Sequence, residues 1–302
     1  MPAKWLTCPC TFGPLPLDHY SSGACKGLAG GMHMPLEWVV SIVEDRVGDS
    51  YHAGQRMTAT RCLGCPREAL LADGTDYVFD PAAANSPHWG TAIHEKISRN
   101  KSSQYFEVRF GVPGDRLPAA RLFRGEMGLV GTEGIVLCGK IDKITLGYGG
   151  IHDYKLHSES SQRFKGRDNK TDWTTAAQLN IYRHSLEQVE EAAIGKVQEL
   201  IAYHGAMTAR RGPRPWIPEV LPLLSEEQIL DIKPGGGVHT VREIIREYQL
   251  FFRRQHDGVP FKENVKQVAL VGRSMYNNTK CTDYCQPGIK KQCDDVEGIE
   301  AF

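Results

Sequence analysis

The sequence has no long hydrophobic run, and none approaches the roughly 18 apolar residues that a membrane-spanning helix needs. It also has no excess of charge, because its 302 residues include 36 Lys and Arg and 36 Asp and Glu. A polyanion such as nucleic acid would therefore be met by local basic patches and metal ions. The opening residues, MPAKWLTCPC, lack the apolar segment of a secretory signal. We expect a soluble, cytosolic protein that does not bind membranes.

Hydrophobic residues make up 41% of the chain, which is enough for a sizeable core. Residues 1–55 are rich in Gly, Pro and Cys, and we expect an irregular N-terminal extension there, followed by one main domain over residues 56–302. Hydrophobic periodicity predicts an α/β order of helix, three strands, helix and strand within that domain. The segments are 88–100, 104–112, 134–146, 149–158, 171–192 and 196–205, with Thr171 or Asp172 available to cap the second helix.

The stretch GGIHDYKLHS, residues 149–158, carries an acid and a base two residues apart. In a strand, Asp153 and Lys155 point to one face and Tyr154 to the other. The glycines of GYGG predict a tight hairpin turn with Tyr148 and Gly149 as its loop, which puts Asp142 opposite Lys155. Two carboxylates and an ammonium group on one face predict a divalent-metal site with a companion base. A surface ion-pair cluster on a half-exposed hairpin is the alternative.

Four short motifs occur in a fixed order along the chain: GTAIH (90–94), GKID (139–142), DYK (153–155) and QLNIY (178–182). Together they resemble the PD-(D/E)xK nuclease superfamily in its RecB-like branch, over roughly residues 60–295. The resemblance implies a restriction-endonuclease-like fold, an α-β-β-β-α-β core with a mixed sheet flanked by helices. It also implies a metal-dependent deoxyribonuclease, an exonuclease that hydrolyses phosphodiester bonds at single-stranded ends.

The resemblance assigns roles to the residues at the motif positions. His94, Asp142, Asp153 and the Tyr154 carbonyl would hold Mg²⁺ or Mn²⁺, and Lys155 would orient the attacking water and stabilise charge on the phosphate. The other motif residues, Gln178 and Tyr182, would lie beside the site and touch the nucleic acid or orient the lysine. Ordinary alternatives are a solvated helix histidine for His94, a solvent-facing amide for Gln178 and helix packing for Tyr182. Glu107 is a candidate supporting acid, with a solvated strand carboxylate as its alternative.

The nine cysteines are clumped, and in a reducing compartment such clusters favour metal ligands over disulfides. The segments RCLGCPREALL and CTDYCQPGIKKQC resemble those of iron–sulfur-containing exonucleases of the CRISPR-adaptation and AddB types. That resemblance implies a [4Fe-4S] cluster that staples the C-terminal tail to the body. Its ligands would be Cys65, Cys281, Cys285 and Cys293, with Cys62 as second choice to Cys65.

The spacing of the last three cysteines is looser than that family's, so zinc bound by four thiolates is an alternative to iron. The early cysteines Cys8, Cys10 and Cys25 could form another zinc site with His33, or they could be incidental thiols in a loop. Cys138, alone within a predicted strand, is expected to be a small core residue.

The expected partner is DNA, preferably single-stranded. The stretches FKGRDNK, ARRGPRPW and FFRRQH could contact phosphates and stack on unpaired bases, or they could be solvated faces. Recombination or replication proteins are further expected partners, in a bacterial cell or a phage-infected host, and an oligomer is compatible with the ring assemblies of the superfamily. A different class of function also fits: a non-catalytic nucleic-acid-binding module of recombination or repair with a structural metal cluster.

Overall fold

The structure is a computed structural model of the whole chain. The residues it describes are 5–8, 13–16, 56–74, 78–79, 90, 92–97, 99, 106–110, 120–121, 136–145, 149–157, 171–187, 197–208, 212–213, 216–234, 238–268 and 292–296. The chain divides into two compact units. One unit comprises Met1–Ala53, Gly64–Trp89 and Leu250–Phe302, and the other comprises Gly54–Leu63 and Gly90–Gln249.

The strands are, in chain order, β1 (Trp5–Cys8), β2 (Gly13–Pro16), β3 (Arg56–Met57), β4 (Val78–Phe79), β5 (Phe106–Phe110), β6 (Ala120–Arg121), β7 (Val136–Leu137), β8 (Gly139–Thr145), β9 (Gly150–His157), β10 (Glu199–Thr208), β11 (Gly212–Pro213) and β12 (Ile217–Leu221). The helices are α1 (Pro66–Gly74), α2 (Trp173–Glu187), α3 (Glu226–Leu230), α4 (Val241–His256) and α5 (Phe261–Lys266). Residues 92–97 and 292–296 are also helical, and Arg61–Leu63 forms a 3-10 turn.

The main sheet has the strand order β11-β10-β9-β8-β5, with β12 also paired to β10. Strands β9 and β10 are parallel, and the other pairs are antiparallel. Along the chain, helical residues 92–97, β5, β8, β9, α2 and β10 follow one another. The predicted order of helix, three strands, helix and strand is therefore found, and the fold is α/β with a mixed sheet flanked by helices.

The register of the β8–β9 hairpin differs from the prediction. The pairs are Thr145 with Gly150, Ile144 with Ile151, and Lys143 with His152, so residues 146–149 connect the strands in place of a two-residue loop. Continued inward, this register puts Asp142 opposite Asp153, and the predicted pairing with Lys155 is wrong. The shift is two residues, and because side chains alternate with period two it leaves the same residues on the same face.

Helix α2 covers the face of β9 and β10 that carries the predicted site, because it packs against both strands. Its cap is Asp172 and not Thr171: the Asp172 carboxylate accepts hydrogen bonds from the backbone N–H of Thr175 at 3.3 Å and from its hydroxyl at 3.0 Å. The helix is buried around most of its circumference, with Ala176 and Leu179 among its fully buried residues. This packing holds the QLNIY motif of α2 over the DYK motif of β9.

In the other unit, β1 lies between β2 and β4 in a small sheet, so two short strands lie within the predicted N-terminal extension. Helix α1 buries Leu70, Leu71 and also Arg67, whose guanidinium donates to the carbonyl oxygens of Val268 and Lys266 just after and at the end of α5. These bonds join chain segments that are about two hundred residues apart in sequence. Within the described ranges, no helix is long and apolar enough to cross a membrane.

Candidate active site

The centre of the candidate site is an ion pair on β9. Asp153 is 4% exposed, and its Oδ2 atom lies 2.9 Å from the Nζ atom of Lys155. Both side chains extend from the face that α2 covers. A buried carboxylate held against a lysine is the arrangement that the D-x-K spacing predicts for one face of a strand.

Asp142 joins this centre where the ladder between β8 and β9 ends. Beyond the pair of Lys143 with His152, a side chain replaces the backbone as the hydrogen-bond acceptor. The Oδ2 atom of Asp142 accepts a hydrogen bond from the backbone N–H of Tyr154 at 2.8 Å. Its Oδ1 atom lies 3.1 Å from Nδ1 of His94. Asp142 therefore ties β8 to both β9 and the helical segment 92–97.

His94 completes the bridge across the hairpin. Its Nε2 atom lies 2.9 Å from the carbonyl oxygen of Tyr154, and the two rings meet edge to face at 6.4 Å. A carbonyl oxygen only accepts hydrogen bonds, so Nε2 donates to it, and the Asp142 oxygen that faces Nδ1 is an acceptor as well. The imidazole and the two strands therefore surround the Tyr154 peptide with polar contacts.

On α2, Gln178 and Tyr182 lie four residues apart and share one side of the helix. Gln178 accepts a hydrogen bond from the Lys155 ammonium at 2.9 Å and is also hydrogen-bonded to the Tyr182 side chain. The Tyr182 ring is buried and packs edge to face on Phe110, with centroids 5.9 Å apart. Contacts therefore link the buried Tyr182 through Gln178 to Lys155 and Asp153.

Burial is the first influence on the protonation of the central pair. It raises the pKa of Asp153, and although Lys155 lowers this pKa, Asp142 raises it again and the net direction is upward. For Lys155, burial lowers the pKa, but Asp153 and then Asp142 outweigh that effect and raise it above the ordinary value for lysine. Burial also raises the pKa of Tyr182 well above its usual range. The lysine is an ammonium and the phenol keeps its proton, while the buried carboxylate would gain from a further cation.

The donor types around Asp153 fit a hard divalent cation. Two carboxylates, an imidazole and a peptide carbonyl are available, and Asp153 is buried with the Lys155 ammonium 2.9 Å from its Oδ2 atom. As they stand, however, these groups contact one another. Over the described ranges, no group of three or more His, Cys, Asp or Glu side chains is arranged to hold a metal ion. Metal binding would have to exchange the His94 contacts for metal bonds.

All six side chains that sequence reasoning assigned to the site meet in this one network: His94, Asp142, Asp153, Lys155, Gln178 and Tyr182. For Glu107, only the backbone in β5 lies within the described residues. The three basic stretches are described in part only, with FFRRQH at the end of α4 and Trp216 at the end of ARRGPRPW.

The predicted cluster ligands are described in part. Cys65 is buried just before α1, and Cys293 lies in the same unit, with its Sγ atom 3.9 Å from the Arg67 guanidinium. Cys62 is buried in the other unit and donates to the Thr58 carbonyl, and burial raises its pKa far above that of an ordinary thiol. Cys138 is fully buried, as expected of a core residue. The predicted ligands that lie outside the described side chains are Cys8, Cys10, Cys25, His33, Cys281 and Cys285.

Sequence reasoning missed three polar residues beside the site, His157, His204 and Glu219. His157 could have been found, because it extends the alternation of Asp153 and Lys155 by two more residues. The other two lie on β10 and β12, which no motif singles out.

No protein-family model matches this chain, and no curated protein matches it either. Among solved structures, a chain described as "Crystal structure of SSO0001" is 15% identical, with a TM-score of 0.44, and the match covers 82% of this chain and 91% of that chain. A likeness this distant carries no argument for this chain.

Proposed function

We propose that this chain is a Mg²⁺- or Mn²⁺-dependent deoxyribonuclease with a restriction-endonuclease-like core of the PD-(D/E)xK type, in its RecB-like branch. The supporting observation is the single contact network of His94, Asp142, Asp153, Lys155, Gln178 and Tyr182, which come from a helical segment, two adjacent strands and α2. A binding module has little use for two carboxylates gathered around a buried lysine, because their desolvation is costly.

In this proposal, the cation would be held by Asp142, Asp153, His94 and the carbonyl of Tyr154. When bound, it would neutralise phosphate charge and make hydroxide available from water near neutral pH. Lys155 places a fixed positive charge beside the phosphate. Gln178 holds the Lys155 ammonium in one orientation. Tyr182 in turn fixes Gln178 from the core of α2. The buried surroundings strengthen each of these electrostatic contacts relative to water.

The test is cleavage of end-labelled single-stranded and double-stranded DNA by purified protein with Mg²⁺, Mn²⁺ or EDTA. We expect metal-dependent loss of nucleotides from single-stranded ends, and a loss of about a hundredfold or more in Lys155→Met. Lys262→Met is the matched control, because Lys262 is an exposed lysine on α5. Cleavage that persists in Lys155→Met at the control's rate would reject the assignment. Binding of DNA by the unmodified chain without any cleavage would favour the non-catalytic recombination or repair module.

The cysteines form a second part of the proposal, a [4Fe-4S] cluster held by Cys65, Cys281, Cys285 and Cys293. It is supported by the shared unit of Cys65 and Cys293 and by the Arg67 bonds that join their segments. Cys62 is the poorer candidate, because its buried thiol already donates to a backbone carbonyl.

Metal analysis and visible absorption of anaerobically purified protein test the cluster. We expect iron and a brown protein, loss of both in Cys65→Ala, and retention of both in Cys62→Ala. Stoichiometric zinc without iron would replace the cluster with a four-thiolate zinc site. Retention of metal in Cys65→Ala together with its loss in Cys62→Ala would reverse the choice of ligand.

A further inference from the structure

The row of functional side chains on β9 continues past Lys155 to His157. His157 is half-buried, and its Nε2 atom lies 2.8 Å from Nδ1 of His204 on β10. The two rings stack with centroids 5.1 Å apart. In the parallel pairing of β9 with β10, His204 is the direct neighbour of Lys155. The histidine pair therefore lies on the same face of the sheet as the candidate site.

His204 of this pair also contacts a half-buried carboxylate. His204 is 1% exposed, and its Nε2 atom lies 2.8 Å from Oε2 of Glu219 on β12. The other oxygen of Glu219 accepts the backbone N–H of Asp172, at the start of α2, at 3.0 Å. A continuous hydrogen-bonded chain thus runs from the helix start through Glu219 and His204 to His157.

This chain of bonds fixes which ring atoms carry hydrogen. A carboxylate accepts, so Nε2 of His204 donates to Glu219, and in a neutral His204 the Nδ1 atom must accept from Nε2–H of His157. A proton taken up by the histidine pair then creates a positive charge, which Glu219 balances from behind. The ring of His157 is held in one orientation by His204 on β10, which is in turn held by Glu219 on β12.

We propose that His157 binds a backbone phosphate of single-stranded DNA, next to the phosphate at Lys155. This inference rests on the proposed nuclease function and extends its binding site along β9. Two residues of a strand span about 6.6 Å, which is comparable to the separation of neighbouring phosphates on one nucleic-acid strand. Lys155 and His157, once the histidine pair has taken up a proton, therefore present two cationic groups at the repeat of the substrate backbone. The buried His204 and the half-buried Glu219 are positioning residues that hold the second of them.

The experiment is the binding of a fluorescent single-stranded oligonucleotide, followed by anisotropy in EDTA at about pH 6, where an ordinary imidazole is largely charged. Affinity is measured over a series of salt concentrations. We expect His157→Gln to bind about tenfold more weakly, equivalent to about 1.4 kcal/mol, and to lower the slope of log affinity against log salt by up to about 0.7. His157→Lys restores a cation and should recover most of the affinity and the slope.

His239→Gln is the matched control, because this histidine is also half-buried and lies just before α4, outside the three basic stretches. A role in folding alone would lower the melting temperature of His157→Gln without changing the salt slope of the folded fraction. An unchanged slope in His157→Gln, or a loss of affinity that His157→Lys does not rescue, overturns the inference. Glu219→Gln should also lower the slope, as His157→Gln does. An unchanged slope in Glu219→Gln would mean that this carboxylate does not help to position His157.

The absence of EDTA-resistant DNA binding in the unmodified chain would also overturn the inference. The nuclease proposal fails separately, when DNA is bound with the expected dependence on His157 but is not cleaved with Mg²⁺ or Mn²⁺. Cleavage combined with a His157-independent salt slope leaves the nuclease intact and rejects the phosphate contact.

Discussion

The two faces of β9 carry opposite kinds of chemistry. On one face, Asp153, Lys155 and His157 are each held in ionic or strongly polar contacts with groups from neighbouring elements. On the other face, His152 and Tyr154 both stack on Tyr203, with centroids 5.8 and 5.2 Å from its ring. The ionic site and the aromatic cluster therefore lie on opposite faces of the same strand.

Electrostatics sharpens this difference. Burial, and then the nearby Lys143, lowers the pKa of His152 to about 4. Burial, followed by the influence of Tyr203 and Asp142, raises the pKa of Tyr154 to about 12. Both rings are therefore neutral near neutral pH, whereas Lys155 on the opposite face is held as an ammonium. We infer that the aromatic face stabilises the sheet. The charged groups of the ionic face are costly to bury, and we infer that they serve the proposed active site instead.

The strongest way to break this comparison is Asp153→Asn. The change keeps the shape of the side chain but removes the charge that a divalent cation needs, so we expect metal-dependent DNA cleavage to fall by about a thousandfold. Stability should also fall, because the change leaves the largely buried Lys155 ammonium without the carboxylate that lies 2.9 Å from it, so cleavage is compared per folded molecule. Cleavage rates and thermal melting curves, each with and without Mn²⁺, provide the measurement.

Asp257→Asn is the control for this change, because the Asp257 side chain is 60% exposed in the turn after α4. The unmodified chain and this control should both melt at a higher temperature with Mn²⁺, by ligand linkage, and Asp153→Asn should not. A full Mn²⁺ shift in Asp153→Asn would mean that the cation binds elsewhere.

On the aromatic face, Tyr203→Ala should lower stability without lowering cleavage. It removes the ring that stacks on both His152 and Tyr154, and for this half-buried residue we expect a loss of about 2 kcal/mol in the free energy of unfolding. Cleavage per folded molecule should be retained. Denaturant unfolding, together with activity below the melting transition, measures both quantities. Tyr203→Phe keeps the ring and should be close to neutral; a large loss of activity without a loss of stability would contradict the division between the faces.

The alternation along β9 was readable from sequence, but the connection to β8 was not. Period two puts Asp153 and Lys155 on one face whatever the turn, so the site survives an error of two residues in the register. The error arose because the glycines of GYGG favour a two-residue turn, whereas pairing begins only at Thr145 and Gly150. Local turn propensity does not determine where strand pairing begins, because that depends on what the rest of the sheet packs against.

The contacts of the site divide in the same way. Helical spacing was enough to put Gln178 and Tyr182 on one side of α2. The contacts of His204 with His157 and Glu219 join three strands, and their pairing follows from the crossover through α2 and the return of β12 along β10. No local sequence pattern predicts these long-range pairings. The bond from His94 is made to the backbone carbonyl of Tyr154, so it does not depend on which side chain residue 154 carries.

The smallest expected effect separates packing from orientation within the ionic face itself. Tyr182→Phe keeps the buried ring on Phe110 but removes the hydroxyl that is hydrogen-bonded to Gln178, the group that holds Lys155. We expect kcat to fall about tenfold, equivalent to about 1.4 kcal/mol in the activation barrier, with KM nearly unchanged because the hydroxyl acts through Gln178. Tyr248→Phe, at a buried tyrosine of α4, is the matched control and should leave kcat unchanged. If both variants lose the same activity, Tyr182 contributes only its ring, and the orientation of Lys155 rests on Gln178 alone.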